Sequence, residues 1–362
     1  MKQEKNIPQI DDTPQAQDKP HKRRVHYSGK YPRRFEEKYK EQNPEKYQDM
    51  VEHVIRKGNT PAGMHRSIMV NEILEFLKIQ PGETGFDATL GYGGHTKAML
   101  ECLKGEGHIY ATDVDPVESE KTKKRLFEAG FGEKILTVKL QNFCTIDEIA
   151  AEAGGFDFIL ADLGVSSMQI DDPQRGFSFR EGGPLDLRLN QTAGISAAER
   201  LDTISEAELE GMLEENSDEP YAAELAHAIT TEIRKGHRID TTAKLRRVIE
   251  ESLDFVPQKE KKDTIRKTCQ RVFQALRIDV NHEFEVLYDF LEKLPGALKP
   301  GGRVAILTFH SGEDKLVKKA FKAGLREGVY SEIARDVVRP SAQECAANGR
   351  ARSTKMRWAV RA

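Results

Sequence analysis

Hydrophobic positions follow a helical spacing where the chain first shows a clear pattern. In the segment 65–79, apolar residues recur at Val70, Ile73, Leu74 and Leu77. Their i, i+3, i+4, i+7 spacing is typical of an amphipathic helix. A Pro-Gly pair follows the segment, and we expect it to end the helix.

Four short apolar runs come next, and each predicts a strand. Helix-like segments separate the first three of them. A β-α-β-α-β order predicts a parallel sheet with helices on both faces. Right-handed crossovers would place the carboxyl ends of the strands along one edge, where ligands bind in such sheets. The four runs cover residues 85–90, 108–114, 134–140 and 156–163.

The strand pattern then stops. Residues 166–192 are rich in Gly, Pro, Asp and Arg and are predicted to form a loop. Residues 196–255 have helical spacing and contain two capping-box patterns, which begin at Ser196 and Ser205. Strand character returns at 298–311 and again in the last eight residues.

Together these patterns predict an α/β fold, with a mostly parallel, Rossmann-like sheet interrupted by an inserted all-helical domain. We divide the chain into a flexible basic extension, a first part of the sheet domain, a helical insert for substrate recognition, and a second part of the sheet domain. These segments cover residues 1–60, 61–170, 171–265 and 266–362.

Composition sets few limits on the partner. The 362 residues are 38% hydrophobic and 32% charged with a formal net charge of -3, so a nucleic acid would have to bind a local basic patch. One patch, residues 21–40, interleaves basic side chains with tyrosines and is either an RNA-binding arm or a solvated one. We see no signal peptide and no membrane-spanning run, and four scattered cysteines indicate neither a zinc site nor disulfides. A cytoplasmic protein is expected.

Candidate chemistry lies at the ends of the predicted strands. The turn DATLGYGGHT at 87–96 lacks the lysine of a phosphate-binding P-loop, and Thr96 stands where a dinucleotide site has its third glycine. Asp113 ends the next strand, where an acid can accept both ribose hydroxyls of a nucleoside. Asp162 ends the fourth strand at the same edge. This set favours an adenosine-type ligand such as S-adenosylmethionine over a nicotinamide dinucleotide.

Six motifs of the chain stand out: DATLGYGGHT, DVDP, LADLGVSSMQIDDPQRGFSFREGGPLDLRLN, FQALRIDVNHE, LKPGGRVAILTFHSGEDKLVK and GRARSTKMR. They resemble those of the RsmH/MraW family, whose members are bacterial methyltransferases that use S-adenosylmethionine to modify N4 of a cytidine in 16S ribosomal RNA. The resemblance implies a class I methyltransferase fold with a helical domain inserted after the fourth strand. It also implies the small ribosomal subunit as partner, and it leaves open whether the protein is a monomer or a homodimer.

The resemblance further implies which residues bind the methyl donor. Asp113 would take the ribose, and Phe143 would lie beside the adenine. The complete set is Gly93, Gly94, His95, Asp113, Phe143, Asp162 and Gln169.

Methylation of an exocyclic amine needs help, because the lone pair of cytosine N4 is delocalised into the ring. A carboxylate near the amine would accept a hydrogen bond from it, which localises the lone pair on the nitrogen. The candidates are Asp162 and Asp186, although Asp186 has the alternative of pairing with an arginine. His310, at the end of the resumed strand, either polarises the base or caps the turn.

The loop after the fourth strand carries candidate RNA contacts. Aromatic side chains could support a base splayed out of its stack, and arginines could hold phosphates. Packing against the insert and ion pairing are the alternatives for these side chains. They are Phe177, Phe179, Arg175, Arg180 and Arg188.

Departures from the family pattern keep other functions open. They lie at 65–67, at 217–220, and at Gly312 and Lys315, all away from the predicted donor pocket. A divergent paralogue that methylates another RNA site, or a ribosome-assembly factor that binds the donor without turnover, therefore stays possible. A DNA amino-methyltransferase is disfavoured, because the fourth strand ends in DLGV and not in (D/N/S)PP(Y/F).

Overall fold

The computed structural model describes residues 67–180 and 182–362. The extension predicted over residues 1–60, including its basic patch, lies outside the described residues. Seven strands form one sheet in the order β3-β2-β1-β4-β5-β7-β6. They are β1 (Thr84–Asp87), β2 (His108–Asp113), β3 (Leu136–Leu140), β4 (Phe156–Asp162), β5 (Leu298–Thr308), β6 (Tyr330–Ile333) and β7 (Lys355–Arg361).

Strands β1 to β5 run parallel, whereas β7 is antiparallel to β5 and β6 is antiparallel to β7. The prediction of a mostly parallel α/β sheet is confirmed. Strand β1 stops at Asp87, earlier than predicted, because the next residues turn into the glycine segment. Strand β5 already includes the Pro-Gly-Gly turn, and its pairing with β4 shifts register between Phe156 and Phe158.

Helices cover both faces of the sheet. One apolar cluster includes Phe86, Phe156 and Phe290, and a second includes Ile73 and Met99. Burial of these clusters holds the strand ends in fixed positions. The helices that pack on the sheet are α1 (Val70–Leu77), α2 (Gly94–Leu103), α3 (Pro116–Glu128), α4 (Ile146–Ala153), α11 (Glu283–Ala297) and α12 (Ser311–Arg326). Helix α1 matches the predicted amphipathic helix, and it ends at Leu77 with Lys78 in a left-handed conformation.

The segment after β4 is less irregular than predicted. It contains a short helix, α5 (Ser167–Asp171), and a 3₁₀ turn at Pro173–Arg175. Ser166 caps α5 in a complete capping box, because its hydroxyl accepts from the Gln169 amide while the Gln169 side chain accepts from the Ser166 amide. This turn chemistry, together with the short length of the helix, explains why composition alone predicted a loop.

The insert is helical, as predicted, and has its own apolar core. Ser196 forms a complete capping box with Glu199, whereas Ser205 forms only half of one, because Glu208 pairs with Arg200 instead. The insert helices are α6 (Ala197–Thr203), α7 (Glu206–Ser217), α8 (Ala222–Arg234), α9 (Thr242–Ser252) and α10 (Gln258–Asn281).

Helix α10 connects the insert to the sheet domain. Its buried residues from Cys269 to Leu276 belong to the core of the insert. The predicted boundary between residues 265 and 266 lies inside this helix. Helix α13 (Ala342–Ala347) and a 3₁₀ turn at Gly349–Ser353 precede the last strand. Among the described residues, no helix has the length and apolar character needed to cross a membrane.

Candidate active site

A cavity of about 360 Å³ opens at the carboxyl edge of the sheet, next to the ends of β1, β2 and β4. Ligand sites in parallel sheets occupy this position, and the volume is in the range of small-molecule sites. The structure brings the seven predicted donor-binding residues together on its wall. They are Gly93, Gly94, His95, Asp113, Phe143, Asp162 and Gln169.

The glycine turn allows helix α2 to start close to its neighbours. Gly93 has a φ of 80°, and a Cβ atom there would lie 2.7 Å from the Thr122 Cγ2 atom. A Cβ atom on Gly94 would collide with the Ser67 hydroxyl. Thr96, in place of a third glycine, donates a 2.6 Å hydrogen bond to the buried Asp87 carboxylate. The turn is therefore stabilised by side chains and leaves its outer surface open to the cavity.

Asp113 is fixed by the backbone around it. Its two carboxylate oxygens accept hydrogen bonds from the amides of Gly91, at 2.8 Å, and Asp115, at 2.9 Å. Burial raises the pKa of Asp113 to about 6, although these two amides lower it. Each oxygen keeps a further lone pair, so the ionised side chain can accept hydrogen bonds from a ligand.

Asp162 and His95 lie next to each other on the cavity wall. The His95 Nε2 atom lies 2.9 Å from the carbonyl oxygen of Ile68, which can only accept, so that nitrogen carries a hydrogen. The other ring nitrogen, Nδ1, lies 3.4 Å from the Asp162 Oδ2 atom. This contact is attractive only when Nδ1 or the carboxyl group is protonated.

The second carboxyl oxygen of Asp162 is the polar atom that the site leaves unused. Oδ1 is buried and has no hydrogen-bond partner among the described residues, while the side chain as a whole is 26% exposed. Burial raises the pKa of Asp162 to about 6, and His95 lowers it again in part. A buried acceptor without a partner, on the wall of a cavity, is suited to a ligand donor.

Phe143 and Gln169 complete the wall in different ways. Phe143 lies in a 3₁₀ turn (Phe143–Thr145), and its ring packs edge-on against Phe290 with 5.1 Å between centroids. The Gln169 amide nitrogen donates to Asp115 at 3.2 Å. Phe143 therefore offers a ring to the cavity, while the polar atoms of Gln169 are engaged in holding helix α5.

Two predicted catalytic candidates lie elsewhere. Asp186 is not among the residues that line the cavity, and Arg188 binds both of its carboxylate oxygens, at 2.8 and 2.9 Å. Burial would raise the pKa of Asp186, but the hydrogen bonds from Arg188 bring it below its ordinary value. His310 also does not line the cavity; it is the N-cap of α12 and lies 3.1 Å from Glu313. Asp186 therefore pairs with an arginine, and His310 caps a helix, which are the non-catalytic alternatives given for them above.

Most of the predicted RNA contacts are also engaged within the protein. Arg175 is buried and pairs with Asp115 at 2.7 Å, so it does not face solvent. Arg188 is held by Asp186, whereas Arg180 is exposed. Phe177 and Phe179 pack against the core of the insert, and Phe179 meets Phe273 edge-on at 5.7 Å.

The cavity wall also carries charged residues that the sequence analysis did not single out. Arg277 donates two 2.8 Å hydrogen bonds to Glu283, and Glu313 lies buried nearby. Burial would raise the pKa of Glu313, but His310 and Arg277 bring it below its ordinary value. The capping-box spacing from His310 to Glu313 was the available signal for the glutamate.

Glu283, His310 and Glu313 also have ligand atoms within 4.8 Å of one another, a spacing that a metal ion could bridge. Arg277, however, already neutralises Glu283 with a bidentate ion pair. A cation would have to displace that guanidinium, so we assign no metal to this cluster.

Comparison with known proteins agrees with this geometry. The sequence profile of the MraW methylase family matches residues 62–362. The ribosomal RNA small subunit methyltransferase H 1 of Agathobacter rectalis is 79% identical over 96% of this chain and 99% of its own length. The methyltransferase H 2 of Alkaliphilus metalliredigens is 63% identical over 94% of this chain and 97% of its own.

A more distant relative, the ribosomal RNA small subunit methyltransferase H of Solidesulfovibrio magneticus, is 36% identical over 82% of this chain and 95% of its own. The match therefore spans the sheet, the insert and the cavity together, and the predicted class I methyltransferase fold is confirmed. On this evidence the chain belongs to the MraW methylase family.

Proposed function

We propose that this protein transfers a methyl group from S-adenosylmethionine to the N4 amine of a cytidine in 16S ribosomal RNA of the small ribosomal subunit. The observation that carries the proposal is the pair of strand-end carboxylates, Asp113 and Asp162, on one cavity beside a glycine turn. Membership of a methylase family supports methyl transfer, and the names of the relatives support the small-subunit RNA as substrate.

The residues on the cavity wall fit the donor. Asp113 would accept hydrogen bonds from the ribose hydroxyls through the lone pairs that its backbone contacts leave available. Phe143 would lie against the adenine, and the turn at Gly93 and Gly94 would let the donor approach the backbone closely. When bound, S-adenosylmethionine supplies an electrophilic methyl group attached to a sulfonium.

Asp162 would act on the incoming amine. Its Oδ1 atom would accept a hydrogen bond from N4, which localises the nitrogen lone pair for attack on the methyl carbon. Oδ2 faces His95, so Oδ1 is the carboxylate oxygen available for this role. The N4 atom loses a proton during the reaction, and an ionised carboxylate with a pKa near 6 can accept it at neutral pH.

The walls around Asp162 would help to position the base. Arg277 and Asn281, from the end of the insert helix α10, line the same cavity as the donor-binding turn. Bringing two reactants into line supplies much of the rate enhancement in a displacement of this kind. The insert would therefore contribute side chains that position the target base beside the donor. With the ribosomal subunit as substrate, the protein would act in the cytoplasm.

A methyl-transfer assay tests the proposal. Tritiated S-adenosylmethionine is incubated with the full chain and with small ribosomal subunits, naked 16S RNA or duplex DNA, and the labelled nucleosides are then separated. We expect label in N4-methylcytidine from the ribosomal RNA. Label at another position would favour a divergent paralogue, and donor binding without any label would favour an assembly factor.

A further inference from the structure

Helix α12 carries basic side chains along one face. They are Lys315, Lys318, Lys319, Lys322 and Arg326, which we call the basic stripe. Their spacings of three and four residues place them in a row on one side of the helix. At 1.5 Å per residue the row is about 17 Å long. The opposite face packs on the sheet through Val317 and Phe321, so the stripe faces outward.

The stripe is exposed and poorly neutralised. All five of its side chains are exposed. Within residues 67–180 and 182–362, Lys318, Lys319 and Lys322 form no ion pair. The acids of the first turn, Glu313 and Asp314, are buried and bonded to groups inside the protein. The positive charge of the stripe is therefore available to a partner.

Two acidic side chains lie close to the stripe without covering it. Asp218 of the insert is 4.0 Å from the Lys315 Nζ atom, at the end nearest the cavity. Glu332 lies on strand β6, on the far wall of a groove beside the other end. Arg335 lines the same groove together with lysines of the stripe, so the net charge of the groove is positive despite Glu332.

The position of the stripe connects it to the active site. Helix α12 begins beside the cavity, since Glu313 of its first turn lines the cavity wall. The helix then runs away to the groove formed with Ser331 to Arg335 on the β6 edge. An extended polyanion bound along the stripe would thus have one end beside the cavity.

We propose that the basic stripe binds the phosphate backbone of the RNA strand that carries the target nucleotide. The inference rests on the proposed function and specifies how its substrate is held. Lysines are compact, mobile point charges that suit a backbone contact without base specificity. A groove of positive charge that follows a strand is a common way to bind single-stranded nucleic acid.

A matched pair of variants tests the inference. The stripe variant carries Lys318→Gln, Lys319→Gln and Lys322→Gln. The control variant carries Lys78→Gln, Lys104→Gln and Lys134→Gln, which remove the same charge. These three lysines are exposed and come shortly before β1, β2 and β3. Because those strands are parallel, the control positions lie at the sheet edge opposite the cavity.

The measurement is the affinity for a single-stranded RNA oligonucleotide as a function of salt, by fluorescence anisotropy, between about 50 and 300 mM KCl. Each phosphate contact adds about 0.7 to the steepness of the fall of log K with log salt, so loss of three contacts should make the slope of the stripe variant shallower by about 2. Its KM for small ribosomal subunits should rise by about tenfold or more at physiological salt. Calorimetry with S-adenosylhomocysteine verifies that both variants are folded.

The outcomes separate the stripe from the proposed function. A stripe variant with the slope and KM of the control would overturn the stripe while leaving methylation by the wild-type protein intact. A wild-type protein that transfers no methyl group to RNA would overturn the proposed function, and the salt slopes would still decide whether the stripe binds RNA. A loss of slope confined to the stripe variant supports the inference.

Discussion

Replacing Asp162 by asparagine should make the protein more stable and less active. The carboxyl group is buried, and its pKa rises from 3.8 to about 6. This rise corresponds to about 3 kcal/mol of preference for the neutral form in the folded state. An asparagine removes the charge, and its amide can donate to His95 Nδ1, because the proton of His95 lies on Nε2 against the Ile68 carbonyl.

The sign of the effect follows from proton binding. Between pH 3.8 and about 6 the folded state keeps a proton on Asp162 that the unfolded state releases, so stability falls as the pH rises. Above pH 6 the full cost of the buried charge is present. The gain from Asp162→Asn should therefore be absent near pH 3.8 and reach at most about 3 kcal/mol at pH 8. For a chain of this size, that is an increase in Tm of about 2–6 °C.

Thermal unfolding near pH 3.8 and at pH 8 checks the expected gain in stability, and methyl-transfer kinetics check the expected loss of activity. Asp289→Asn, on the exposed face of α11, is the control and should show no pH-dependent gain. The amide oxygen of the asparagine can still accept a hydrogen bond from N4, but it carries no negative charge and cannot take up the N4 proton, so kcat should fall by about 10²–10³-fold. In the wild-type protein kcat should fall as the pH drops through about 6, as Asp162 becomes protonated. A variant that is destabilised at pH 8, or that keeps wild-type turnover, would refute this view of Asp162.

Three further substitutions, one of them with a compensating second change, test other parts of the account. Asp113→Asn should weaken S-adenosylhomocysteine binding by about tenfold or more in calorimetry, because a ribose acceptor is lost. Gly312→Leu should lower the free energy of unfolding in urea by about 1–3 kcal/mol, because a Cβ atom there would lie 2.6 Å from the Phe284 ring. Adding Phe284→Ala should restore part of the lost stability. Arg188→Ala should cost about 2–4 kcal/mol by leaving the Asp186 carboxylate unpaired, and unchanged stability would reopen a catalytic role for Asp186.

The positions of the donor-binding residues could be predicted because they depend on strand ends. Hydrophobic runs located β2 and β4, and the parallel order then required Asp113 and Asp162 to meet at one edge. Strand β6 escaped prediction because its four residues, Tyr330–Ile333, have neither the length nor the regular alternation of a half-buried strand. The basic stripe was readable in principle, since its three- and four-residue spacing is visible in α12.

Other features could not be decided from sequence, because they depend on contacts across the fold. Arg277 reaches the cavity from the end of a helix whose earlier turns belong to the insert core. Asp186 has an arginine two residues away in sequence, but only the folded loop shows that Arg188 binds both of its carboxylate oxygens. His310 similarly needed the structure to show that it caps a helix beside Glu313.

A crystal structure with bound S-adenosylhomocysteine tests the central claim most directly. We predict that the ribose hydroxyls will lie within hydrogen-bond distance, about 2.6–3.2 Å, of the Asp113 carboxylate. The sulfur should then lie on the side of the cavity nearest Asp162, facing Arg277 and Asn281. Nucleoside bound outside this cavity, or with its ribose away from Asp113, would contradict the account.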